Sequence, residues 1–371
     1  MKIVIDVKSV ENLTGIYGYF KPFLEAILNQ YDKEEIILIG TKFDLLINQN
    51  INVEKLKKIH VKFPFFIFND FIKSFLYGFF IFPWYLKKIN PDLIISPYYF
   101  IRIPLNQKHK SIVTIHDMCY FSHKNIYKYH HYYLAQYYLN SNLSDCKGIV
   151  TVSSTTKDEI LKYCNSHNIK INKNKIIIIY NSFKCNHLSF KNKIQSQNVP
   201  KKILYTGGFE NRKNLNRLFK TFYNFIQINN NYCLVITGNL KNNTKFLRLL
   251  NKYNLYNSVI LTGYLNEQEI HDLYYNIDFA INLSLCEGFG RNNYEAKMYG
   301  IPLLCADIPI NHEIVGDYPI YCDATDLNDI YQGLNKLCLS SKKTILKKID
   351  SRFTINSNVK KYISFINETF K

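Results

Sequence analysis

Short apolar runs alternate with longer amphipathic stretches along the whole chain, and this alternation constrains the fold more than any other feature. Apolar runs bounded by turns are typical of strands that a parallel sheet buries on both faces. The stretches between them, such as 17–29 and 126–139, have the spacing of helices that cover such a sheet. The predicted strands are 2–7, 35–39, 93–96, 112–115, 148–152, 174–180, 202–206, 233–237, 259–262, 279–283, 302–305 and 320–322.

The series of strands is interrupted once, which predicts two domains. A chain of 371 residues is long enough to form two cores of ordinary size. The polar stretch 186–200, rich in Asn, Lys, Ser and Gln, is predicted to be the linker. We therefore expect an α/β protein with two Rossmann-like, doubly wound domains, 1–185 and 201–351, facing a cleft.

The composition indicates a globular protein. Hydrophobic residues make up 47% of the chain and charged residues 20%, which is unlike a disordered protein. The nine cysteines are scattered without a C-x-x-C pair, so we expect no zinc site. Because the first strand begins at once and no signal peptide precedes it, a cytoplasmic location is predicted.

The formal net charge of +18 is concentrated in the first half of the chain. Residues 1–200 carry 26 basic and 14 acidic side chains, against 21 and 15 in the remainder. Such an excess suits membrane lipid, a diphosphate ligand or nucleic acid. A genome that favours Lys, Asn and Ile explains it equally well, so charge alone does not decide the partner. No recognisable nucleic-acid-binding module occurs, and we expect no nucleic acid.

The aromatic stretch 63–86 could be mistaken for a membrane span. Its longest uncharged run, 74–86, is shorter than the roughly 20 residues that a spanning helix needs. We predict a buried helix here. A surface that also touches lipid is the second interpretation, because aromatic residues beside Lys87 and Lys88 resemble an interfacial anchor.

Two glutamates, Glu287 and Glu295, flank a glycine-rich turn just before a helix predicted at 293–299. Glycines let the backbone approach a ligand, and the start of a helix offers unpaired N–H groups to a phosphate. The two carboxylates could then accept hydrogen bonds from hydroxyl groups on either side, which matches the layout of a nucleotide-sugar. The alternative is a capped helix with two solvated glutamates.

Two adjacent cations, Arg212 and Lys213, follow a strand and the glycine turn at Gly207. Cations oppose the dipole at the start of a helix, so their presence there predicts an anion nearby, such as a diphosphate leaving group. The alternative is a solvated basic helix start.

The first half of the chain offers weaker candidates. His116 closes a predicted strand, and side chains at the carboxyl ends of strands in open α/β sheets point into the ligand crevice. Asp117 either orients this histidine or caps the loop. Gly15, at the start of the first helix, would let backbone N–H groups face an anion.

Segments 283–290, 295–296, 300–305 and 312–317 together resemble the C-terminal signature of the retaining glycosyltransferases of family four, also called glycosyl transferases group 1. Segments 113–118 and 207–215 are similar to further parts of that family, so the resemblance spans nearly the whole chain. It implies the GT-B fold and a last helix, 352–371, that crosses back to the first domain. The chain departs from the family at 291–293, where many relatives have Leu-Pro-type residues, and at 208, where many have arginine.

The resemblance also implies roles for the candidate residues. Glu287 and His116 would contact the donor sugar, Glu295 would bind the ribose, and Gly15 would face the diphosphate. Lys213 would bind the diphosphate together with Arg212, which takes over from the arginine that relatives place at 208. The donor site would further include Gly207, Phe289, Gly290 and Arg291.

The implied reaction moves a hexose from a GDP- or UDP-sugar to an acceptor hydroxyl with retention of configuration. The resemblance is to mannosyltransferase-like enzymes of surface-polysaccharide assembly, such as lipopolysaccharide, O-antigen or capsule. We expect a saccharide or lipid-linked acceptor on the basic first domain, a peripheral position at the inner face of the membrane, and neither cofactor nor metal, since no D-x-D motif occurs. A GT-B nucleotide-sugar epimerase and a catalytically silent membrane-surface binding protein are the alternatives.

Overall fold

The computed structural model describes residues 1–10, 15–43, 56–63, 70–99, 110–127, 129–184, 200–238, 243–346 and 348–370. The chain divides into two compact units. The N-terminal unit comprises 1–184 and 350–371, and the C-terminal unit comprises 185–349. The predicted linker 186–200 lies outside the described ranges except for Pro200.

The N-terminal unit is built on a parallel sheet whose described strands run in the order β3-β2-β1-β4-β5-β6-β7. The residues of β1, β2, β4, β5 and β6 are almost fully buried, as expected for strands covered on both faces. The strands are β1 (Lys2–Asp6), β2 (Glu35–Gly40), β3 (Leu56–His60), β4 (Leu93–Ser96), β5 (Lys110–Ile115), β6 (Gly148–Thr151) and β7 (Ile176–Ile178).

The edge strand β3 was not predicted from the sequence. Two of its five residues are lysines, and its side chains are half-buried or exposed. Edge strands carry such charges because they protect an unpaired edge from other chains, and the charges remove the apolar run that marks a central strand.

Helices cover this sheet. Where the sequence predicted helices at 17–29 and 126–139, the structure has Gly15–Gln30 and Tyr129–Asp145. The helices of the unit are α1 (Gly15–Gln30), α2 (Asp70–Leu76), α3 (Phe82–Ile89), α4 (Cys119–Ser122), α5 (Tyr129–Asp145), α6 (Ser154–Ser166) and, at the end of the chain, α13 (Ile355–Phe370). Helix α13 belongs to the N-terminal unit, where Tyr362 stacks on Phe23 of α1 with ring centroids 4.9 Å apart.

The aromatic stretch, from residue 70 onward, lies in a continuous helical segment, 70–89, in which a π-helical turn, Tyr77–Ile81, joins α2 to α3. Residues 64–69 of the stretch lie outside the described ranges. Tyr77 is buried, and its hydroxyl donates to Oδ1 of the buried Asp6 at 2.7 Å. Phe80 and Trp84 are each 55% exposed, so the prediction of a buried helix is right for one face and wrong for the other. No helix in the described part of the chain is both long and apolar enough to cross a membrane.

The C-terminal unit repeats the architecture with a parallel sheet of order β10-β9-β8-β11-β12-β13 among its described strands. The strands are β8 (Lys201–Tyr205), β9 (Tyr232–Ile236), β10 (Val259–Leu261), β11 (Phe279–Asn282), β12 (Leu303–Ala306) and β13 (Ile320–Cys322). The helices are α7 (Leu215–Ile226), α8 (Thr244–Lys252), α9 (Glu267–Asn276), α10 (Arg291–Met298), α11 (Pro309–Val315) and α12 (Leu327–Leu339). Two parallel, doubly wound sheets confirm the predicted α/β fold class.

Candidate active site

The C-terminal unit gathers the predicted charged residues at one edge of its sheet. Strands β8 and β11 pair in parallel, and the loops after their carboxyl ends hold Lys213 and Glu287 respectively. The order of strands reverses direction between β8 and β11. Such a switch point is where open α/β sheets bind ligands.

Glu287 forms ion pairs with both neighbouring cations. Lys213 Nζ donates to Glu287 Oε1 at 2.5 Å, and Arg212 Nη1 donates to Oε2 at 3.2 Å. The three side chains are between 11% and 18% exposed. Two cations against one carboxylate leave the cluster with one net positive charge in a largely desolvated place, where electrostatic interactions are strong.

The protonation state of Glu287 follows from competing effects. Burial raises the pKa of this carboxyl, but the charges of Lys213 and Arg212 and hydrogen bonds from Lys213 and Ser284 outweigh burial, so the net shift is downward. Glu287 is therefore ionised at neutral pH. It can accept hydrogen bonds from hydroxyl groups and cannot act as a proton donor.

Hydrogen bonds to backbone carbonyls hold the two loops together in addition to the ion pairs. The cations lie in the short turn Asn211–Lys213, directly before α7. The carbonyl of Arg212 accepts the N–H of Leu285 at 2.8 Å, and Arg212 Nη1 also donates to the carbonyl of Cys286 at 3.0 Å. The guanidinium is thus fixed by the loop that carries Glu287.

Packing beneath the first loop explains its glycine. The Tyr205 hydroxyl donates to the carbonyl of Gly208 at 2.8 Å, and a side chain at Gly207 would overlap that hydroxyl. The turn ends at Asn214, which has the left-handed φ of 60° that asparagine tolerates. The buried Asn214 amide donates to the carbonyl of Ala324 at 2.6 Å. A donor contact at Gly207 stays a prediction.

Helix α10 begins at Arg291, two residues before the predicted start. Gly290 precedes it with a left-handed φ of 75°, and a side chain there would lie 3.3 Å from both Asn293 and Asn311. Glycine is therefore strongly favoured at 290. Phe289 is only 5% exposed, so the donor contact predicted for it would come from its backbone and not from its ring.

A ladder of buried amides, which the sequence did not reveal, supports this turn. Asn282 Nδ2 donates to Asn293 Oδ1, and Asn293 Nδ2 donates to Asn311 Oδ1, both at 2.8 Å. Ser284 Oγ donates to Asn282 Oδ1 at 2.6 Å, and Asn311 Nδ2 donates to the carbonyl of Ala306 at 2.8 Å. The ladder ties the end of β11, the start of α10 and α11 together, and fixes the loop that carries Glu287.

Glu295 lies one helical turn beyond Arg291, and both of its oxygens are bonded. Arg291 Nε donates to Oε1 at 2.8 Å, and the hydroxyl of the buried Tyr274 donates to Oε2 at 2.9 Å. Tyr274 in turn stacks on Tyr299 with ring centroids 4.9 Å apart. Burial, followed by the charge of Glu295, raises the pKa of Tyr274, which keeps its hydroxyl a donor. Tyr274 is a site residue that sequence reasoning missed.

A cleft of about 240 Å³ within the C-terminal unit adjoins Glu295. Gly238 and Gly263 contribute bare backbone to it, with φ of 113° and 76°, and the N–H of Gly238 donates to the carbonyl of Gly263 at 2.9 Å. Tyr274 and Asn292 also line it. The remaining lining residues are Thr206, Thr237, Tyr264, Leu265, Ile270 and Leu273.

In the N-terminal unit, His116 follows β5 and is fixed by β4's loop. Its Nε2 lies 2.8 Å from the carbonyl of Pro97, and because a carbonyl only accepts, Nε2 carries the proton. Burial lowers the pKa of His116, and the hydrogen bond to Pro97 and the charge of Asp117 offset this only in part. The histidine is therefore neutral near pH 7. Its ring packs edge-on against that of Tyr19, with the two ring centroids 5.2 Å apart.

Of the other two candidates of this unit, Asp117 has a local structural role and Gly15 has none that packing requires. Asp117 Oδ1 accepts the N–H of Cys119 at 3.1 Å, which favours the loop-capping interpretation over orientation of the histidine. Gly15 is the exposed first residue of α1, and a side chain there would meet no atom within 4 Å. Packing does not require glycine at 15, and its contact with a phosphate stays a prediction.

The structure thus brings Arg212, Lys213 and Glu287 into one cluster and Arg291 and Glu295 into a second at α10. Across the described ranges, no group of three or more His, Cys, Asp or Glu side chains is placed to hold a metal ion.

Two family models match the chain. "Glycosyltransferase Family 4" matches residues 44–186, and "Glycosyl transferases group 1" matches residues 188–350. Together they cover most of the chain, and the second includes both charged clusters.

Among curated proteins, the chain is similar to the O-antigen chain mannosyltransferase RfbU of Salmonella typhimurium, with 26% identity over 215 residues that cover 58% of this chain and 57% of that protein. It is also similar to the O-antigen chain mannosyltransferase B of Escherichia coli, with 24% identity over 60% of this chain and 59% of that protein. The chain thus spans less than two thirds of the length of either relative.

Among solved structures, the Anabaena protein HepE in complex with UDP and glucose matches with a TM-score of 0.69 and 15% identity over 99% of this chain and 100% of that one. A sucrose-phosphate synthase from Thermosynechococcus elongatus matches with a TM-score of 0.75 and 14% identity over 100% and 99%. The lipopolysaccharide outer core galactosyltransferase WaaB matches at 0.61 and 16% over 99% of both chains. At these identities the likenesses show the fold alone, which is of the GT-B type. With both halves of the family represented in order, this chain belongs to the family-four, group 1 glycosyltransferases.

Proposed function

We propose that the protein is a hexosyltransferase that moves a hexose from a nucleoside-diphosphate sugar to an acceptor hydroxyl, with the donor bound by the C-terminal unit. The observation that carries the proposal is the cluster of Arg212, Lys213 and Glu287 at the switch point of the sheet. When the bond between the anomeric carbon and the diphosphate breaks, negative charge accumulates on the departing phosphate. Fixed cations and the N–H groups at the start of α10 are suited to stabilise that charge.

The carboxylates have complementary roles in this proposal. Glu287 is held ionised and accepts hydrogen bonds from hydroxyl groups of the sugar. Glu295 faces the cleft of about 240 Å³, which has room for part of the nucleoside, and binds the ribose hydroxyls. His116, neutral and protonated at Nε2, would contact the sugar through a hydrogen bond and not through a charge.

The identity of the donor is the finer part of the proposal. Two curated relatives are named mannosyltransferases, and the solved structure of HepE contains UDP and glucose. We propose a GDP- or UDP-hexose and transfer with retention of configuration, as the resemblance to a retaining family implies. Arg212 and Lys213 supply positive charge at the site, which supports a reaction that needs neither metal nor cofactor.

The acceptor is proposed to be a saccharide or a lipid-linked saccharide bound by the N-terminal unit, in lipopolysaccharide, O-antigen or capsule assembly at the inner face of a membrane. The names of RfbU and WaaB support this pathway class. The basic excess of residues 1–200 supports a cytoplasmic protein that lies peripherally on an anionic membrane.

The test is a panel of UDP-, GDP- and ADP-sugars, with thermal shift and slow donor hydrolysis measured in the presence of EDTA. One donor should raise the melting temperature and release its nucleotide, and Glu287→Gln should abolish the release while the protein stays folded by circular dichroism. Conversion of one donor into another without acceptor would indicate an epimerase. A thermal shift without any turnover, even with a lipid-linked acceptor extract present, would indicate a silent binding protein and contradict the proposal.

A further inference from the structure

The N-terminal unit presents large aromatic side chains to solvent on two neighbouring helical segments. On the segment 70–89, Phe80 and Trp84 are each 55% exposed. On α5, Tyr129, Tyr133 and Tyr137 are 82%, 61% and 41% exposed. These five residues are called the exposed aromatic face below.

The five side chains form one surface. Phe79 bridges the two segments, with its ring centroid 5.5 Å from that of Tyr137 and 4.9 Å from that of Phe80. Trp84 follows Phe80 by four residues, and successive tyrosines of α5 are also spaced by four. Residues four apart lie one above the other on a helix, so each set forms a stripe, and the contact through Phe79 joins the stripes.

Packing keeps this face exposed, because the opposite side of the segment 70–89 is buried in the core. Tyr77, Phe82 and Leu86 are at most 4% exposed, and the Tyr77 hydroxyl donates to the buried Asp6 at the end of β1. The π-helical turn at Tyr77–Ile81 adds a residue per turn here, so the register of the segment shifts between its two α-helical parts. The aromatic side chains therefore cannot turn inward without breaking that anchor.

Positive charge borders the aromatic rings. Lys88 Nζ lies 5.3 Å from the ring of Trp84, and Lys87 beside it is exposed. The segment 70–89 has three lysines and one aspartate. A surface of Trp and Tyr next to lysines matches the headgroup region of a bilayer, where such rings bury their apolar body and lysines meet lipid phosphates.

We propose that the exposed aromatic face docks the protein on an anionic lipid bilayer, with Phe80 and Trp84 at the level of the headgroups and Lys87 and Lys88 on lipid phosphates. The inference deepens the proposed membrane location and rests on it, but it does not depend on the transfer chemistry. A cluster of exposed aromatic side chains bordered by charge is typical of an interaction site, and the lysines favour anionic lipid over an apolar protein surface as its partner.

The sequence provides its own probe, because Trp84 is the single tryptophan of the chain. Vesicles of phosphatidylglycerol and phosphatidylcholine should shift the Trp84 emission to the blue, and brominated lipids should quench it. Vesicles of phosphatidylcholine alone should bind at least about tenfold more weakly, since each lysine near an anionic surface contributes on the order of a fivefold gain in binding.

Variants test whether the exposed aromatic face, and not another part of the surface, binds the vesicles. Phe80→Ser combined with Tyr137→Ser should reduce vesicle binding at least about tenfold, because the contact loses apolar area. Lys87→Gln with Lys88→Gln should remove most of the preference for anionic lipid. Tyr256→Ser, which changes a 53% exposed tyrosine of the C-terminal unit, is the matched control and should leave binding unchanged.

Three outcomes would overturn the inference. Vesicle binding that leaves the Trp84 emission unchanged would place the contact elsewhere, and so would binding that survives the double serine variant. A blue shift that depends on protein concentration without lipid would show that a second copy of the chain covers the face. The double serine variant should hydrolyse free donor at the same rate as the wild type. Vesicle binding through the exposed aromatic face without turnover of any donor would contradict the transferase proposal and leave this inference standing.

Discussion

The switch points of the two sheets have the same topology and opposite chemistry. Each sheet reverses its strand order once, between β1 and β4 in the N-terminal unit and between β8 and β11 in the C-terminal unit. In the C-terminal unit the loops there hold Glu287 paired with Arg212 and Lys213. In the N-terminal unit, Asp6 at the end of β1 and His116 after β5 bond to neutral partners.

Both residues lie at the carboxyl edge of the N-terminal sheet, Asp6 at the switch point and His116 beside it. Asp6, fully buried at the end of β1, accepts the hydroxyls of Tyr77 at 2.7 Å and Ser96 at 3.0 Å. His116, one strand further, is kept neutral by burial and binds a carbonyl. Topology therefore supplies the place for a ligand, and the local residues decide its chemistry. In the proposed function, the C-terminal site takes the anionic diphosphate and His116 meets a neutral hydroxyl group.

The largest effect is expected from removing a charge of the C-terminal site, and it tests whether the two sites differ. Lys213→Met should lower donor turnover by about 10²–10³-fold, because a fixed charge that stabilises the leaving group is lost. His116→Asn should lower turnover by a smaller factor, since a neutral hydrogen bond is lost instead. Steady-state hydrolysis rates measure both, with the exposed Lys252→Met as the control. Equal losses at 213 and 116 would show that the two sites do not differ as described.

The amide ladder should be the main support of the charged site. Asn293→Leu leaves Asn282 without its acceptor and Asn311 without its donor inside the protein, at a cost on the order of 3 kcal/mol in unfolding free energy. Urea unfolding measures it, and Asn276→Leu on the exposed end of α9 should cost less than about 0.5 kcal/mol. Similar midpoints for the two variants would mean that the ladder contributes nothing special.

A backbone variant tests the turn before α10. Gly290→Ala should cost about 1–2 kcal/mol because a residue with a side chain resists a φ of 75° and crowds Asn293 and Asn311 at 3.3 Å. Gly15→Ala should be neutral or slightly stabilising, since nothing lies within 4 Å and the position is helical. Thermal unfolding of both variants sharpens the contrast, and equal costs would contradict it.

The smallest effects are in the dependence of stability on pH. Because the pKa of Glu287 is lowered in the folded protein, its stabilisation is complete above the ordinary value of 4.5 and is lost as the pH falls through the lower folded pKa. The pKa of His116 is lowered too, so its contribution is complete above 6.5 and declines as the pH falls below that value. The measurement is the difference in unfolding free energy between the wild type and each of Glu287→Gln and His116→Gln, followed from pH 7.5 downward. This difference should begin to change near pH 6.5 for the histidine and only below about 4.5 for the glutamate. A common onset would contradict the assigned environments.

The central strands could be predicted from sequence because they are buried on both faces and read as uninterrupted apolar runs. The helix at 70–89 shows the limit of that reasoning. Its composition indicates burial, but only packing decides that Tyr77 enters the core and Trp84 does not.

The charged residues of the candidate site could be predicted because each stands in a recognisable motif, whereas the polar contacts that position them could not, because no motif marks their partners. Arg212, Lys213 and Glu287 stand in loops beside glycines, and Glu295 stands in the helix that follows Gly290. Asn282 and Asn311 are widely separated along the chain, and isolated asparagines normally indicate turns. The same holds for the bond of Tyr274 to Glu295, which joins α9 to α10.

Whether the charged cluster holds the diphosphate of the donor is tested most directly by equilibrium binding. The ligands are the nucleoside diphosphate and the matching nucleoside monophosphate, and the proteins are the wild type, Lys213→Met and Glu295→Ala. The wild type should bind the diphosphate at least about tenfold more tightly than the monophosphate, as expected for a charge-assisted contact to the second phosphate. Lys213→Met should lose most of that preference, while Glu295→Ala should weaken both ligands by a similar factor. An undiminished preference for the diphosphate in Lys213→Met would contradict the proposed role of the charged cluster.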